Sequence, residues 1–342
     1  MNMDKAKIFI ADSTLRDGSH ANQHQFSKEQ IQKYCKAAGN AGVPLIEVGH
    51  GNGVGASSLQ VGISLIDDIE MIRVARETLV KTNLGIFMIP GFATIKKDLK
   101  PAIDAGVDMV RVASHCTEAD ITERYINYVR ERGKVAHGCL MSSHMASSDV
   151  LVEECKKMES YGAQGVILMD SAGNSLPHDV AEKISVIVKN VSIPVGFHAH
   201  NNLSMAVANS VAAVEAGALI IDGTAKGFGA GAGNTPIEIL VAVLEKLGYD
   251  TGIDLYKILD SSDLAEKEIM NVNPSIDSIS IVSGLSGVFS AFKKHVIRIS
   301  SEYKVDPRDV FFELGKRKVV GGQEDLIVEV AIELSNKKKN KI

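Results

Sequence analysis

The stretch GAQGVILMDSAGNSLPHDVAEKISVIVKNVSIPVGFHAHNN, residues 162–202, contains one complete structural unit. Gly165–Met169 is a short apolar run that ends in Asp170-Ser171-Ala172-Gly173-Asn174. His178–Val191 carries apolar residues at helical spacing, and Pro194–Phe197 is a second apolar run that ends in His198-Ala199-His200-Asn201-Asn202. Two strands joined through a helix form a parallel βαβ unit, because parallel strands need a long crossover.

The same unit recurs on both sides of this stretch. Apolar runs at Lys7–Ala11, Leu45–Val48, Leu84–Ile89, Met109–Ala113, Ala136–Met141 and Ala218–Ile221 bring the total to eight. Helical spacing fills the gaps, as in Ser27–Gly42, Asp149–Tyr161 and Leu203–Ala216. Ser27 three residues before Gln30 reads as a capping box and Ser148-Asp149 as a second start, while Gly42, Gly162 and Gly217 read as stops. Eight such units predict an α/β fold, a TIM (β/α)₈ barrel over residues 1–235, in preference to an open doubly wound sheet. From Pro236 the pattern turns helical, with ILVAVLEKLGY, LYKILDSSDLAEKEIM, SGVFSAFKKHVIRIS and a last apolar stretch at Asp325–Leu334. Residues 236–342 are therefore expected to form a helical C-terminal domain, with no Ser/Pro-rich linker before it.

Bulk properties narrow the function. A net charge of −5 argues against a nucleic-acid surface, and the basic run Lys337-Lys338-Lys339-Asn340-Lys341 reads as a solvated tail. Cys35, Cys116, Cys139 and Cys155 form no C-x-x-C pair, so neither a disulfide framework nor a structural zinc site is expected. The apolar stretch Ile8–Ala11 is too short for a signal-peptide core, which makes a soluble cytoplasmic protein the expectation.

A barrel places its reactive groups at the C-terminal ends of its strands. Polar residues gather there: Asp12 to His20 after the first run, Glu47 to His50 on the second, Arg111 and His115 on the fourth. His198 and His200 are two apart on a strand and so share a face. With Asp17 as a third ligand they form a two-histidine, one-carboxylate set that suits a divalent metal with open positions for substrate. The plainer alternative is two core histidines. Arg16 calls for a carboxylate partner, and Glu47 at the neighbouring strand end either orients it or forms an ordinary inter-strand ion pair. Other signals are weaker. Gly51–Ala56 matches a relaxed dinucleotide pattern in the wrong context, and Gly227–Gly233 reads as a pliable loop near the barrel mouth. Lys226 could serve a metal-free Schiff-base mechanism, and His115, His137 and His144 could line the pocket.

Six phrases carry a family resemblance: TLRDGSHANQHQ (14–25), LIEVGHGNGVGASS (45–58), DSAG (170–173), FHAHNNLSMAVANS (197–210), GAGAGNTP (229–236) and VDPRDVFFELGKRKVVGGQEDLIVEVA (305–331). The chain resembles the 4-hydroxy-2-oxovalerate aldolases, the pyruvate-aldolase branch of the DRE-TIM metallolyases. The resemblance implies a lyase that cleaves a 4-hydroxy-2-oxo acid to pyruvate and an aldehyde. It implies Mn²⁺, or Mg²⁺ or Co²⁺ in its place, on Asp17, His198 and His200, with the substrate held against Asp17, His198, Arg16 and Ser171. Arg16 would stabilise the enolate, and His20 would be the general base. It further implies that the C-terminal region completes the pocket and docks an acylating acetaldehyde dehydrogenase within an oligomeric assembly. The chain departs from the family at Phe289, where a tyrosine is usual. A Claisen-type synthase using an acyl-CoA and a 2-oxo acid, and a non-catalytic dehydrogenase partner, are the competing expectations.

Overall fold

The computed structural model of the protein describes residues 7–339. Eight parallel strands close into a barrel in sequence order: β1 (Phe9–Leu15), β2 (Leu45–Val48), β3 (Asn83–Met88), β4 (Met109–His115), β5 (Val135–Met141), β6 (Val166–Asp170), β7 (Val195–Ala199) and β8 (Ile220–Gly223). β1 pairs with β8 as well as β2, with Ala11 opposite Asp222, so the ends of the chain's first and eighth units are joined. The helices between strands shield an apolar layer from Ile8 to Ile269, and Phe87, Ala113, Cys139, Ile167, Met169 and Ile220 form a smaller apolar cluster.

Local signals explain the elements. The helix Lys28–Asn40 starts at a capping box in which Gln30 N–H donates to Ser27 Oγ at 3.2 Å and Ser27 N–H to Gln30 Oε1 at 2.9 Å. The helix Ser148–Ser160 is capped one residue earlier than expected, by Ser147, whose hydroxyl accepts from Val150 N–H. β1 runs four residues past its apolar stretch, through Asp12, Ser13 and Thr14, all buried. Asp12 and Thr14 find internal partners, while the Ser13 hydroxyl has none: Asp12 accepts from Thr14 N–H at 2.9 Å, Thr14 Oγ1 at 2.5 Å and Tyr34 Oη at 2.6 Å. Burial outweighs those bonds and pushes the Asp12 carboxyl up to about 6.

Beyond β8 the chain is helical, but its cores do not divide at 235. The helices Ile237–Lys246 and Leu255–Glu268 bury Ile237, Leu240, Leu244, Ile258 and Ala265 in the same core as the barrel helices. A second core begins at Val288 and includes Phe292, Val296, Val310, Phe311, Leu314, Ile327 and Val330. It belongs to a bundle of four helices, Ser278–Ser286, Lys293–Tyr303, Pro307–Lys316 and Asp325–Lys339. The basic run read as a tail is helical through Lys339; Asn340 and Lys341 lie outside the described residues.

Two helices of the bundle approach closely at Gly315, where a Cβ would lie 2.3 Å from the Ser286 carbonyl oxygen. Gly315→Ala is expected to force them apart and cost about 1–3 kcal/mol. Hydrogen exchange should quicken in Ser278–Ser286 and Pro307–Lys316 while the strands keep their protection. Unchanged exchange in both helices would refute this packing.

Candidate functional site

The turn after β1 carries the first half of the site. The β1–β2 register shifts between Asp12 and Leu15, and the N–H groups of Arg16 and Asp17 both bond to Ser13 O. Such an irregularity at a barrel rim re-aims the side chains that follow. The second half comes from β7, which ends in His198-Ala199 with His200 immediately after it.

Closure of the barrel brings the halves together. His198 Nε2 lies 3.3 Å and His200 Nε2 3.8 Å from Asp17 Oδ2. One ligand-type atom from each of the three residues falls within 4.8 Å of the others, and all three residues are buried. His198 Nδ1 sits 2.8 Å from Asp222 Oδ2 on β8. An imidazole that donates from Nδ1 to a carboxylate presents Nε2 for ligation. His198 Nε2 has no hydrogen-bond partner, although it is fully buried. A buried, orphaned ring nitrogen facing a carboxylate fits a cation, as does the chemistry of two imidazoles and one carboxylate. Asn234 is paired with His200 through the backbone, and both polar atoms of its buried amide lack partners.

Charge on this site is organised as a ring. Arg16 donates from Nη1 to Asp17 Oδ2 at 3.0 Å and from Nε to Glu47 Oε2 at 3.2 Å. Arg111 donates to Glu47 Oε1 at 3.3 Å and spans Asp222, with Nη1–Oδ2 at 2.8 Å and Nη2–Oδ1 at 3.1 Å. Asp222 returns to His198, and His198 to Asp17. The titration behaviour follows. Burial would raise the Asp17 carboxyl, but Arg16 and the two imidazoles outweigh it and hold it well below its usual range. Burial would likewise raise Asp222, yet Arg111 and His198 bring it down to about 2. Burial opposes a charge on His198, but its two carboxylates raise it above an ordinary histidine, while burial takes His200 down to about 4.

The remaining expected residues surround this centre. Arg16, Asp17, His20, Ser171, His200 and Phe289 line one small cavity. Arg16 Nη2 is buried without a partner, and its guanidinium lies over the Phe87 ring at 4.5 Å. Ser171 Oγ accepts from Ser142 N–H at 3.0 Å, which leaves its own hydrogen free to donate. Burial pushes His20 down to about 3 against the pull of Asp17, so its ring is neutral near pH 7.

Other expectations separate from the cluster. His115 lines a neighbouring cavity with Ile89, Phe92, Ile121 and Val320. His137 is buried on β5 beside Arg111 in the register, and His144 Nε2 binds Gly287 O at 3.0 Å. Lys226 is engaged outside the cavity with Asp263 at 2.7 Å. The loop Gly227–Gly233 is packed, not pliable: Phe228, Ala230 and Ala232 are buried, and Ala230 N–H donates to Asp17 Oδ1 at 3.2 Å. Asp222, Asn202 and Asn234 were not singled out from sequence. Asp222 directly follows the eighth apolar run, where a barrel places chemistry, and that position was its available signal.

Comparison with known proteins places this geometry. Residues 7–265 match the HMGL-like family, and residues 274–336 match the DmpG-like communication domain. Over 336 residues the chain is 59% identical to the 4-hydroxy-2-oxovalerate aldolase of Pectobacterium atrosepticum and covers 98% of both chains. It is 60% identical to the 4-hydroxy-2-oxovalerate aldolase of Spirochaeta aurantia, again over 98% of each. Among solved structures, the carboxyl transferase domain of Rhizobium etli pyruvate carboxylase shares the fold, with a TM-score of 0.80 at 14% identity over 98% of this chain and 61% of that one.

The ring of charges predicts a stability effect that needs no bound ligand. Arg111→Ala leaves Glu47 and Asp222 buried with one guanidinium fewer, and should cost about 3–5 kcal/mol. Urea unfolding measures it; a loss below about 1 kcal/mol, the range of exposed pairs, would show that Arg111 does not hold the ring together.

Proposed function

Because this chain belongs to the HMGL-like family and, within it, to the 4-hydroxy-2-oxovalerate aldolases, we propose that it is a divalent-metal-dependent lyase cleaving 4-hydroxy-2-oxopentanoate, or a related 4-hydroxy-2-oxo acid, to pyruvate and an aldehyde. One observation carries the finer part of this reading. Asp17, His198 and His200 meet at one point, and Asp17 and His200 share a small cavity with the unpartnered guanidinium nitrogen of Arg16 and the neutral His20.

Asp17, His198 and His200 would hold the ion, Mn²⁺ first, with Mg²⁺ or Co²⁺ as alternatives. When bound it supplies Lewis acidity toward the keto oxygen, where negative charge develops. Arg16 offers Nη2 to the 2-oxo acid, oriented by Glu47 and Asp17 on its other nitrogens. A donor fixed before the reaction costs no reorganisation during it. Ser171 offers its free hydroxyl hydrogen to the same substrate. His20 takes the proton of the 4-hydroxyl group. The C3–C4 bond then breaks, the C4 oxygen becomes the aldehyde carbonyl, and the electron pair passes to C3 and the keto group. A proton returned to C3 completes pyruvate.

Phe289 gives the aldehyde-derived end an apolar wall. It lines both the reaction cavity and the neighbouring cavity, and it has no hydrogen to donate. This favours tolerance of several aldehydes over recognition of one. The match of residues 274–336 to a communication domain supports docking of an acylating acetaldehyde dehydrogenase by the helical region. A cytoplasmic setting accompanies this reading; among the described residues no helix is long and apolar enough to cross a membrane.

Purified protein with Mn²⁺ should release pyruvate from 4-hydroxy-2-oxopentanoate, and a chelator should stop it. His20→Ala should lower turnover by roughly 10²–10⁴-fold with metal content near that of the parent. His200→Ala should lose metal as well. Equal metal loss in the two variants, or acetyl-CoA-dependent thiol release in place of pyruvate release, would overturn the assignment.

A further inference from the structure

We propose that Gly51 is a positioning residue for His20: the imidazole rests on the Gly51 α-carbon, and the missing side chain there sets where the ring stands. The proposal depends on the aldolase reading only for the role of His20 as base.

A Cβ built on Gly51 would fall 2.6 Å from His20 Cδ2, 2.6 Å from Nε2 and 2.7 Å from Cε1, so its three nearest neighbours all belong to one imidazole. Gly51 is not among the glycines with positive φ, so its backbone does not require glycine. The nearest obstacles to a side chain are all atoms of the His20 ring.

Neither backbone can easily retreat. His20 N–H donates to Asp17 O at 3.0 Å, and Lys294 Nζ donates to His20 O at 3.0 Å and Ala21 O at 3.2 Å. On the other side, Gly51 N–H points to His24 Nδ1 at 3.4 Å, and its neighbour His50 is fixed by Asp68 Oδ1 on its N–H at 3.0 Å. His24 and His50 stack with centroids 3.6 Å apart. Asn52 N–H donates to His50 Nδ1 at 3.1 Å, which leaves Nε2 to donate to Gly62 O at 3.1 Å. Two of the three clustered imidazoles are thus held by hydrogen bonds. Among the described residues the His20 ring makes none; it meets His24 edge-on with centroids 5.4 Å apart, and its closest approach is to Gly51, which therefore sets where it stands.

A methyl group at Gly51 would have to push the ring by about 1 Å to restore ordinary contact. A shift of that size in a reacting group can cost about 10²-fold. Gly51→Ala should therefore lower kcat by roughly 10–100-fold, leaving KM, bound Mn²⁺ and Tm near parental values. In a His20→Ala background, Gly51→Ala should cause no further loss, a result that a merely structural role would not give. A crystal structure of Gly51→Ala should show His20 displaced with Asp17, His198 and His200 in place. Parental kcat in Gly51→Ala, an equal further loss without His20, or an unmoved ring would each overturn the proposal. If the parent releases no pyruvate, the aldolase reading fails, and ring displacement alone decides the seat. Should Gly51→Ala not fold, His24→Phe removes the acceptor of Gly51 N–H while keeping a ring on His50. It should give a smaller kcat loss that again vanishes without His20; persistence of that loss would count against the seat.

Discussion

A closed circuit of buried charge sits at the centre of this protein: Asp17, Arg16, Glu47, Arg111, Asp222, His198 and back to Asp17. Every member is nearly or wholly excluded from solvent. Buried ions are costly unless each is paired and its remaining hydrogen bonds are met. Here each carboxylate touches two partners, which is why the circuit tolerates burial. Its charges do not cancel, however. Three carboxylates face two guanidinium groups, so one negative charge is left at the corner where His198 meets Asp17. A proton on His198 can answer it, and so can a cation between the imidazoles and Asp17. The affinity of this corner for positive charge is thus a property of the whole circuit.

The circuit also explains why the fold must close. Its members come from the β1 turn, β2, β4, β7 and β8. In an open sheet of the same strand order, β1 and β8 would be at opposite edges, and Asp222 could not share a centre with Asp17. The β1–β8 pairing that sets Ala11 opposite Asp222 therefore assembles the site as it completes the barrel. Thr14 strengthens the same seam, since its hydroxyl accepts Ala225 N–H at 2.8 Å across it.

Much of this was legible in the sequence, and what was not has physical causes. All eight strands announce themselves as apolar runs, and His198-Ala199-His200 displays its shared face through strand periodicity alone. The extension of β1 was hidden because Asp12, Ser13 and Thr14 look like a loop until Tyr34 and Ala225 supply hydrogen bonds to Asp12 and Thr14. The packing of Gly227–Gly233 was hidden for the opposite reason: a glycine-rich run looks free, while here Gly233 leaves less than a carbon atom's room, with Gly227 O only 2.0 Å from where a Cβ would stand. Helical periodicity reveals Ile237–Lys246 and Leu255–Glu268 but not which surface they cover, so a boundary at 235 split helices from the core they share. Arg111 and Asp222 could be seen as strand-end polar groups, but their pairing exists only once the barrel is closed.

The segment from Gly284 to Ser290 joins the helical bundle to the reaction cavity. Asn174 Nδ2 donates to Gly284 O at 2.7 Å, His144 holds Gly287 O, and Ser290 N–H donates to Ser171 O at 3.0 Å. Asn202 donates to both Ser290 Oγ and Ala172 O at 2.9 Å, and accepts from Ala232 N–H at 2.9 Å. One buried amide thus ties the β6 turn, the glycine-rich loop and the bundle together. Phe289 lies inside this tied stretch, next in sequence to Ser290, with its ring on the cavity and Gly321 of the bundle beside it. The bundle helices therefore cannot move relative to the barrel without either breaking these bonds or carrying Phe289 and Ser171 with them. The apolar wall that Phe289 gives the cavity is in this way part of the bundle's own attachment, and its position is set by the same hydrogen bonds that hold the two cores together.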